Sequence, residues 1–135
     1  LLQNERGLLM IGIVLVSHSK KITDGLKELI EQMAGDGSNL VVKSNGGTDE
    51  GELGSNPMEL LSTLEAMTDC EEIYVFAGVG SAKMAVETAL DMLDDAKHVH
   101  DFSDYPLVES AFTAGITAST GASHEQIEAE LQQFN

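Results

Sequence analysis

The stretch Met10–Ser19, MIGIVLVSHS, decides how the rest of the chain is read. Met10 to Val16 is an unbroken apolar run rich in Ile and Val. Polar residues close it abruptly and a helical pattern follows at once. That combination marks a strand buried on both faces, as in the middle of a parallel sheet. Ser17, His18 and Ser19 fall where the chain leaves the carboxyl end of that strand. Open α/β sheets bind ligands at that end, so His18 is the first candidate for chemistry.

Downstream of the turn, Ile22, Leu26, Leu29, Ile30 and Met33 recur at helical spacing and define one apolar face. Ser19 reads as the N-cap and Gly35 as the stop. Gly25, inside this helix, suggests close backbone packing. A second strand is expected over Leu40–Lys43, then a glycine-rich polar loop over Ser44–Asn56. Long loops in compact domains are often functional. Pro57 opens a helix with Leu60, Leu61, Leu64 and Met67 on its apolar side. Ile73–Ala77 is the third strand, and Gly78, Val79 and Gly80 make the turn out of it. Ser81 is expected to cap a helix with Ala82, Ala85, Val86, Ala89 and Leu93 inward. A weak fourth strand near Lys97–Asp101 precedes a helix opened by Pro106, with Val108, Ala111, Phe112, Gly115 and Ile116 inward. Ser123 to Gln126 form a capping box for a last short helix.

Strands alternating with helices mean βαβ units. The expected fold is α/β, an open, mainly parallel sheet of about four strands with helices on both faces. Residues 10–135 are read as one domain. Residues 1–9 are read as an N-terminal extension, an upstream addition or a remnant of cloning.

Charge and composition narrow the function. Against 7 Lys and Arg stand 23 Asp and Glu, a formal charge of −16, which repels nucleic acid and anionic membranes. Partners with basic faces suit it. Cys70 is the sole cysteine, in keeping with a reducing, cytoplasmic setting. No apolar run approaches the roughly 20 residues of a membrane span.

Several motifs are weak. Gly78-Val79-Gly80 begins like a dinucleotide fingerprint, but Lys83 stands where the third glycine belongs. What remains is a glycine turn that exposes helix N-terminal N–H groups to an anion. His98 and His100 alternate on a strand-like segment without a nearby cysteine or third histidine, so no metal ligand is assigned. His124 reads as a solvated helix-start residue. Ser17 adjoins His18, but adjacency on a turn is not triad geometry. For His18, pattern alone leaves two readings: a histidine that caps the turn, or a nucleophile. Imidazole suits reversible phosphoryl transfer because one ring nitrogen is nucleophilic near neutral pH.

Four segments decide between those readings: IVLVSHS (Ile13–Ser19), Gly47-Thr48-Asp49, GSAKMAVETALDML (Gly80–Leu93) and PLVESAFTAGITASTG (Pro106–Gly121). Together, in order and at spacing, the chain resembles the phosphotransfer subunit of phosphoenolpyruvate-dependent dihydroxyacetone kinase, whose domain is related to mannose-type enzyme IIA. The resemblance implies a cytoplasmic, homodimeric phosphotransferase subunit of glycerol and dihydroxyacetone metabolism that needs no cofactor. It implies that His18 accepts phosphate from the histidine-containing phosphocarrier protein and passes it to ADP on the kinase's nucleotide-binding subunit. A non-catalytic, anion-sensing regulatory module of the same fold is the alternative. Ser17, Ser19, Thr48, Gly80 and Ser81 are the expected phosphate-binding residues. Relatives of this type commonly carry an acidic residue where this chain has Gly78. The orienting group for His18 must then be a backbone carbonyl of the glycine turns or Asp49. A carbonyl is preferred, since it adds no negative charge beside a dianionic phosphoryl group.

Overall fold

A computed structural model describes residues 3, 4, 6–48 and 50–135. Four strands, β1 (Ile11–Ser17), β2 (Leu40–Gly46), β3 (Glu72–Ala77) and β4 (Val99–Asp101), form one sheet in the order β2-β1-β3-β4. Every pairing is parallel. All seven residues of β1 are buried, as a strand with a neighbour on each edge and helices on each face must be.

Alternation along the strands sends side chains to two cores. Ile11, Ile13, Leu15, Tyr74 and Phe76 meet α1 (Lys20–Ala34), α4 (Leu107–Ser119) and α5 (His124–Leu131). Val14, Val16, Val75 and Ala77 meet α2 (Pro57–Ala66) and α3 (Ser81–Met92). Small residues let the helices lie close: a Cβ on Gly115 would stand 2.8 Å from Ile30 Cγ2.

The expected elements are present, with differences that have physical causes. β2 runs three residues beyond Lys43, because Ser44, Asn45 and Gly46 continue the ladder opposite Leu15, Val16 and Ser17. β4 is shorter than Lys97–Asp101. On α1 only Leu26 and Ile30 of the expected face are buried, with Thr23 beside them. Ile22, Leu29 and Met33 are exposed, because the sheet takes the edge of the apolar stripe and not its centre. On α4, Val108 is likewise exposed. Residues before β1 are fastened to the domain: Asn4 and Arg6 both donate to the carbonyl of Gly37, and Asn39 Nδ2 donates to that of Leu9. Among the described residues no helix is long and apolar enough to cross a membrane.

Gly25 corrects the sequence reading most simply. A Cβ there would meet nothing within 4 Å, so no close packing requires glycine. Gly25→Ala should therefore stabilise the protein by about 0.5–1 kcal/mol, the helix-interior cost of glycine. A rise of a few degrees in the thermal midpoint checks this; a fall would show that Gly25 serves another contact.

Candidate functional site at the carboxyl end of the sheet

β1 ends at buried Ser17, and the next residue, His18, is exposed. The turn is fixed locally. Ser17 Oγ accepts the Ser19 N–H at 3.1 Å. The Ser17 carbonyl accepts the Gly47 N–H at 3.1 Å, and the His18 carbonyl accepts the Gly54 N–H at 2.9 Å. The loop after β2 is thus laced to the backbone on both sides of the histidine side chain. At the other flank, the Gly78 N–H donates to the Val16 carbonyl at 2.9 Å. Gly80 then adopts a φ of 82° as the N-cap of α3, a conformation L side chains rarely adopt.

His18 Nδ1 lies 3.2 Å from Ser81 Oγ, and Ser81 Oγ donates to Ser55 Oγ at 2.8 Å. With its one proton directed to Ser55, the Ser81 oxygen offers a lone pair to Nδ1. In that arrangement a ring protonated on Nδ1 donates to Ser81 and leaves Nε2 with the lone pair. The expected orienting group was a carbonyl or Asp49; the partner found for Nδ1 is the Ser81 hydroxyl. Asp49 lies outside the described residues. Ser81 is also not the cap of α3: Gly80 holds that position, with no side-chain cap bond. Its hydroxyl is turned instead toward His18.

The remaining expected residues divide by what their hydroxyls do. Ser17 Oγ shapes the turn, and Thr48 Oγ1 accepts the Glu52 N–H at 3.2 Å within its own loop. Ser19 sits at the N-cap of α1 with no side-chain cap bond, so its half-buried hydroxyl is available beside His18. Gly78 is not a crowded position. A Cβ there would make ordinary contacts, 3.4 Å from Leu107 Cδ2 and 3.6 Å from Ser17 Oγ. Ser55 was missed. It sits on a loop 26 residues from Ser81, and no periodicity links the two.

The N-termini of α1 and α3 both abut this turn, supplying backbone N–H groups for an anion. Lys83, one turn into α3, is hydrogen-bonded to Asp104, whose carboxylate raises its pKa. The His18 side chain opens to solvent. Val79 and Met84, two residues before and three after Ser81, stand exposed. An open histidine with apolar neighbours suits contact with a protein surface more than enclosure of a small molecule. The lone thiol plays no part: Cys70 is buried in the α2/α3 core, and burial pushes its pKa up to about 11.

Removing the Ser81 hydroxyl should cost the site its tautomer control. As the phosphoryl acceptor that the resemblance implies, His18 should be labelled about fivefold more slowly in Ser81→Ala, the kinetic equivalent of one hydrogen bond of roughly 1 kcal/mol. Rapid-quench transfer assays check it. An unchanged rate would assign the orienting role to another group.

The family model of EIIA-man, PTS system fructose IIA component, matches residues 12–128. The chain is 45% identical over 123 residues to "PEP-dependent dihydroxyacetone kinase 2, phosphoryl donor subunit DhaM" of Listeria innocua serovar 6a, covering 90% of this chain and 97% of that protein. It is 32% identical to the "PTS-dependent dihydroxyacetone kinase, phosphotransferase subunit DhaM" of Lactococcus lactis subsp. lactis, over 91% of this chain and 94% of that one. The corresponding Providencia stuartii subunit is 38% identical, but the chain spans only 26% of its length. A crystal structure of unknown function protein EF1359 superposes with a TM-score of 0.82 at 46% identity, covering 94% of this chain and 96% of that one.

Proposed function

Because the chain belongs to the EIIA-man family, the PTS system fructose IIA component, we propose that it is a phosphoryl carrier whose covalent intermediate is His18 phosphorylated on Nε2. The observation that carries the reading is the hydrogen-bonded line Ser55–Ser81–His18 on the exposed exit turn of β1. Nε2 attacks the phosphorus of a phosphohistidine on the donor protein. The new N–P bond forms as the old one breaks, and the donor's imidazole leaves. The attacking ring gains positive charge, which the Nδ1–H···Oγ contact to Ser81 disperses. Ser19 and the N–H groups at the start of α1 and α3 are the groups assigned to the phosphoryl oxygens, with Thr48 and Gly80 completing the rim.

The donor we assign is the histidine-containing phosphocarrier protein. The acceptor we assign is ADP on the nucleotide-binding subunit of dihydroxyacetone kinase; the named relatives are phosphoryl donor or phosphotransferase subunits of such a kinase. The setting is cytoplasmic and the working form a homodimer. A formal charge of −16 favours basic partner faces.

The test is reconstitution. The protein is incubated with phosphoenolpyruvate, the general phosphotransferase enzyme and the phosphocarrier, and its intact mass is measured. Gain of one phosphoryl group, and its loss on adding the kinase subunits with ADP, is the expected result. No gain of mass would leave an anion-sensing module as the better reading.

A further inference from the structure

At the opposite end of the sheet, Glu72, His100 and His124 come together from β3, β4 and α5. They are 28 and 24 residues apart in turn, so no sequence spacing announces them. The register explains the meeting. Tyr74 pairs with His100 in the β3–β4 ladder, and both point to the face covered by α5. Glu72, two residues before Tyr74, points the same way. α5 then starts with His124 against that face. The His100 and His124 rings stack with centroids 4.1 Å apart, and Tyr74 stacks on both. His124 is therefore no solvated helix-start residue.

We infer that Glu72, His100 and His124 form a binding site for one divalent transition-metal ion of the zinc class. One ligand-type atom from each residue lies within 4.8 Å of the others. Two imidazoles and a carboxylate are a donor set suited to zinc. A tetrahedral ion with bonds of about 2.0–2.1 Å needs ligand atoms about 3.3 Å apart, so closure requires the stacked His100 and His124 rings to turn until a lone pair of each meets at one point. Glu72 Oε1 and His100 Nε2 are already 2.8 Å apart. The supporting shell is in place too. Tyr74 Oη lies 2.6 Å from His124 Nδ1, the kind of outer contact that fixes a ligating imidazole. Glu128, one helical turn on, has Oε1 3.3 Å from His124 Nε2 and is the nearest donor for a fourth position. The side chains of Glu72, His100 and His124 are 20%, 22% and 23% exposed, so an ion has a way in.

The strand rise puts this cluster about 15–20 Å from the His18 turn, too far to touch the phosphoryl group. Its role is a clip. β4 is a three-residue edge strand, and α5 is held to the sheet chiefly by Ile127 and Leu131. A shared ion ties both to β3.

The test uses untagged protein stripped with a chelator and titrated with Zn²⁺ and with Co²⁺. The expected results are one ion per chain, visible Co²⁺ d–d bands and a raised thermal midpoint. His100→Ala and His124→Ala should each weaken binding at least tenfold, while His98→Ala, outside the cluster, should leave it unchanged. In case a variant fails to fold, the wild-type imidazole NMR signals decide: His100 and His124 should shift with Zn²⁺ while His18 stays still. Absence of saturable binding, undiminished binding in both variants, or a shift confined to His18 or His98 would overturn the site.

Discussion

His18→Ala should abolish phosphoryl labelling and leave the fold intact. The nucleophile is removed outright, so the loss should be complete and not graded. The fold should not suffer, because the side chain is exposed and its described hydrogen bond is the 3.2 Å contact to Ser81. The contacts that tie the turn to the loop after β2 are made by the Ser17 and His18 carbonyls, which alanine keeps. A surface change of this kind shifts stability by roughly 0.5 kcal/mol or less. Wild-type protein should show an acid-labile, base-stable adduct after incubation with the donor system, and the variant none. Labelling of the variant at the wild-type level would move the site to His98, His100 or His124. That outcome would also remove the reason for assigning Nε2, since the Ser55–Ser81 line serves His18 alone.

The sequence made β1 and its exit turn readable because burial on both faces leaves an unmistakable mark, an apolar run with no alternation. The same logic found β3. The second strand was read short because Ser44, Asn45 and Gly46 are poor strand formers by composition, and the ladder with β1 overrides them. The face of α1 was legible in period but not in phase. Periodicity says that Ile22, Leu26, Leu29, Ile30 and Met33 share a side; only packing says which edge of that side meets the sheet.

At the site, His18 and its flanking serines were legible because strand, turn and helix lie within ten residues. Ser81 was read both as the cap of α3 and as a phosphate ligand; the cap position falls to Gly80, and the Ser81 hydroxyl faces His18. Ser55 and the Glu72–His100–His124 cluster were illegible for a common reason. Each depends on which strands are neighbours and on where the loops cross, and one chain read along its length carries little of that.

The two glycines Gly25 and Gly46 show how far this goes, and they set up the second large effect. Gly46→Ala should destabilise the protein by about 3 kcal/mol and slow phosphoryl transfer as well. Its φ is not the left-handed value that would itself demand glycine; space is what it supplies. A Cβ on Gly46 would lie 2.3 Å from Thr23 Oγ1, 2.5 Å from the Ser19 carbonyl oxygen and 2.8 Å from Lys20 Cα. Two of these are backbone atoms at the start of α1, immediately after His18. The third belongs to a side chain that is fully buried, donates to the Lys20 carbonyl and accepts from Ser44 Oγ at 2.7 Å. None can yield without moving the first turn of α1 away from β2. That movement strains the Ser17–Gly47 hydrogen bond and displaces His18 from Ser81. The thermal midpoint should fall by roughly 10 °C, and transfer measured well below it, where the variant is folded, should still be slower than wild type. Gly25→Ala, the same change at a position with no neighbour within 4 Å, should move the midpoint the other way. A Gly46→Ala variant as stable as wild type would mean that β2 and α1 are not held together as tightly as the backbone contacts require. Normal transfer in a destabilised variant would mean that the His18 turn keeps its geometry independently of the strand beneath it.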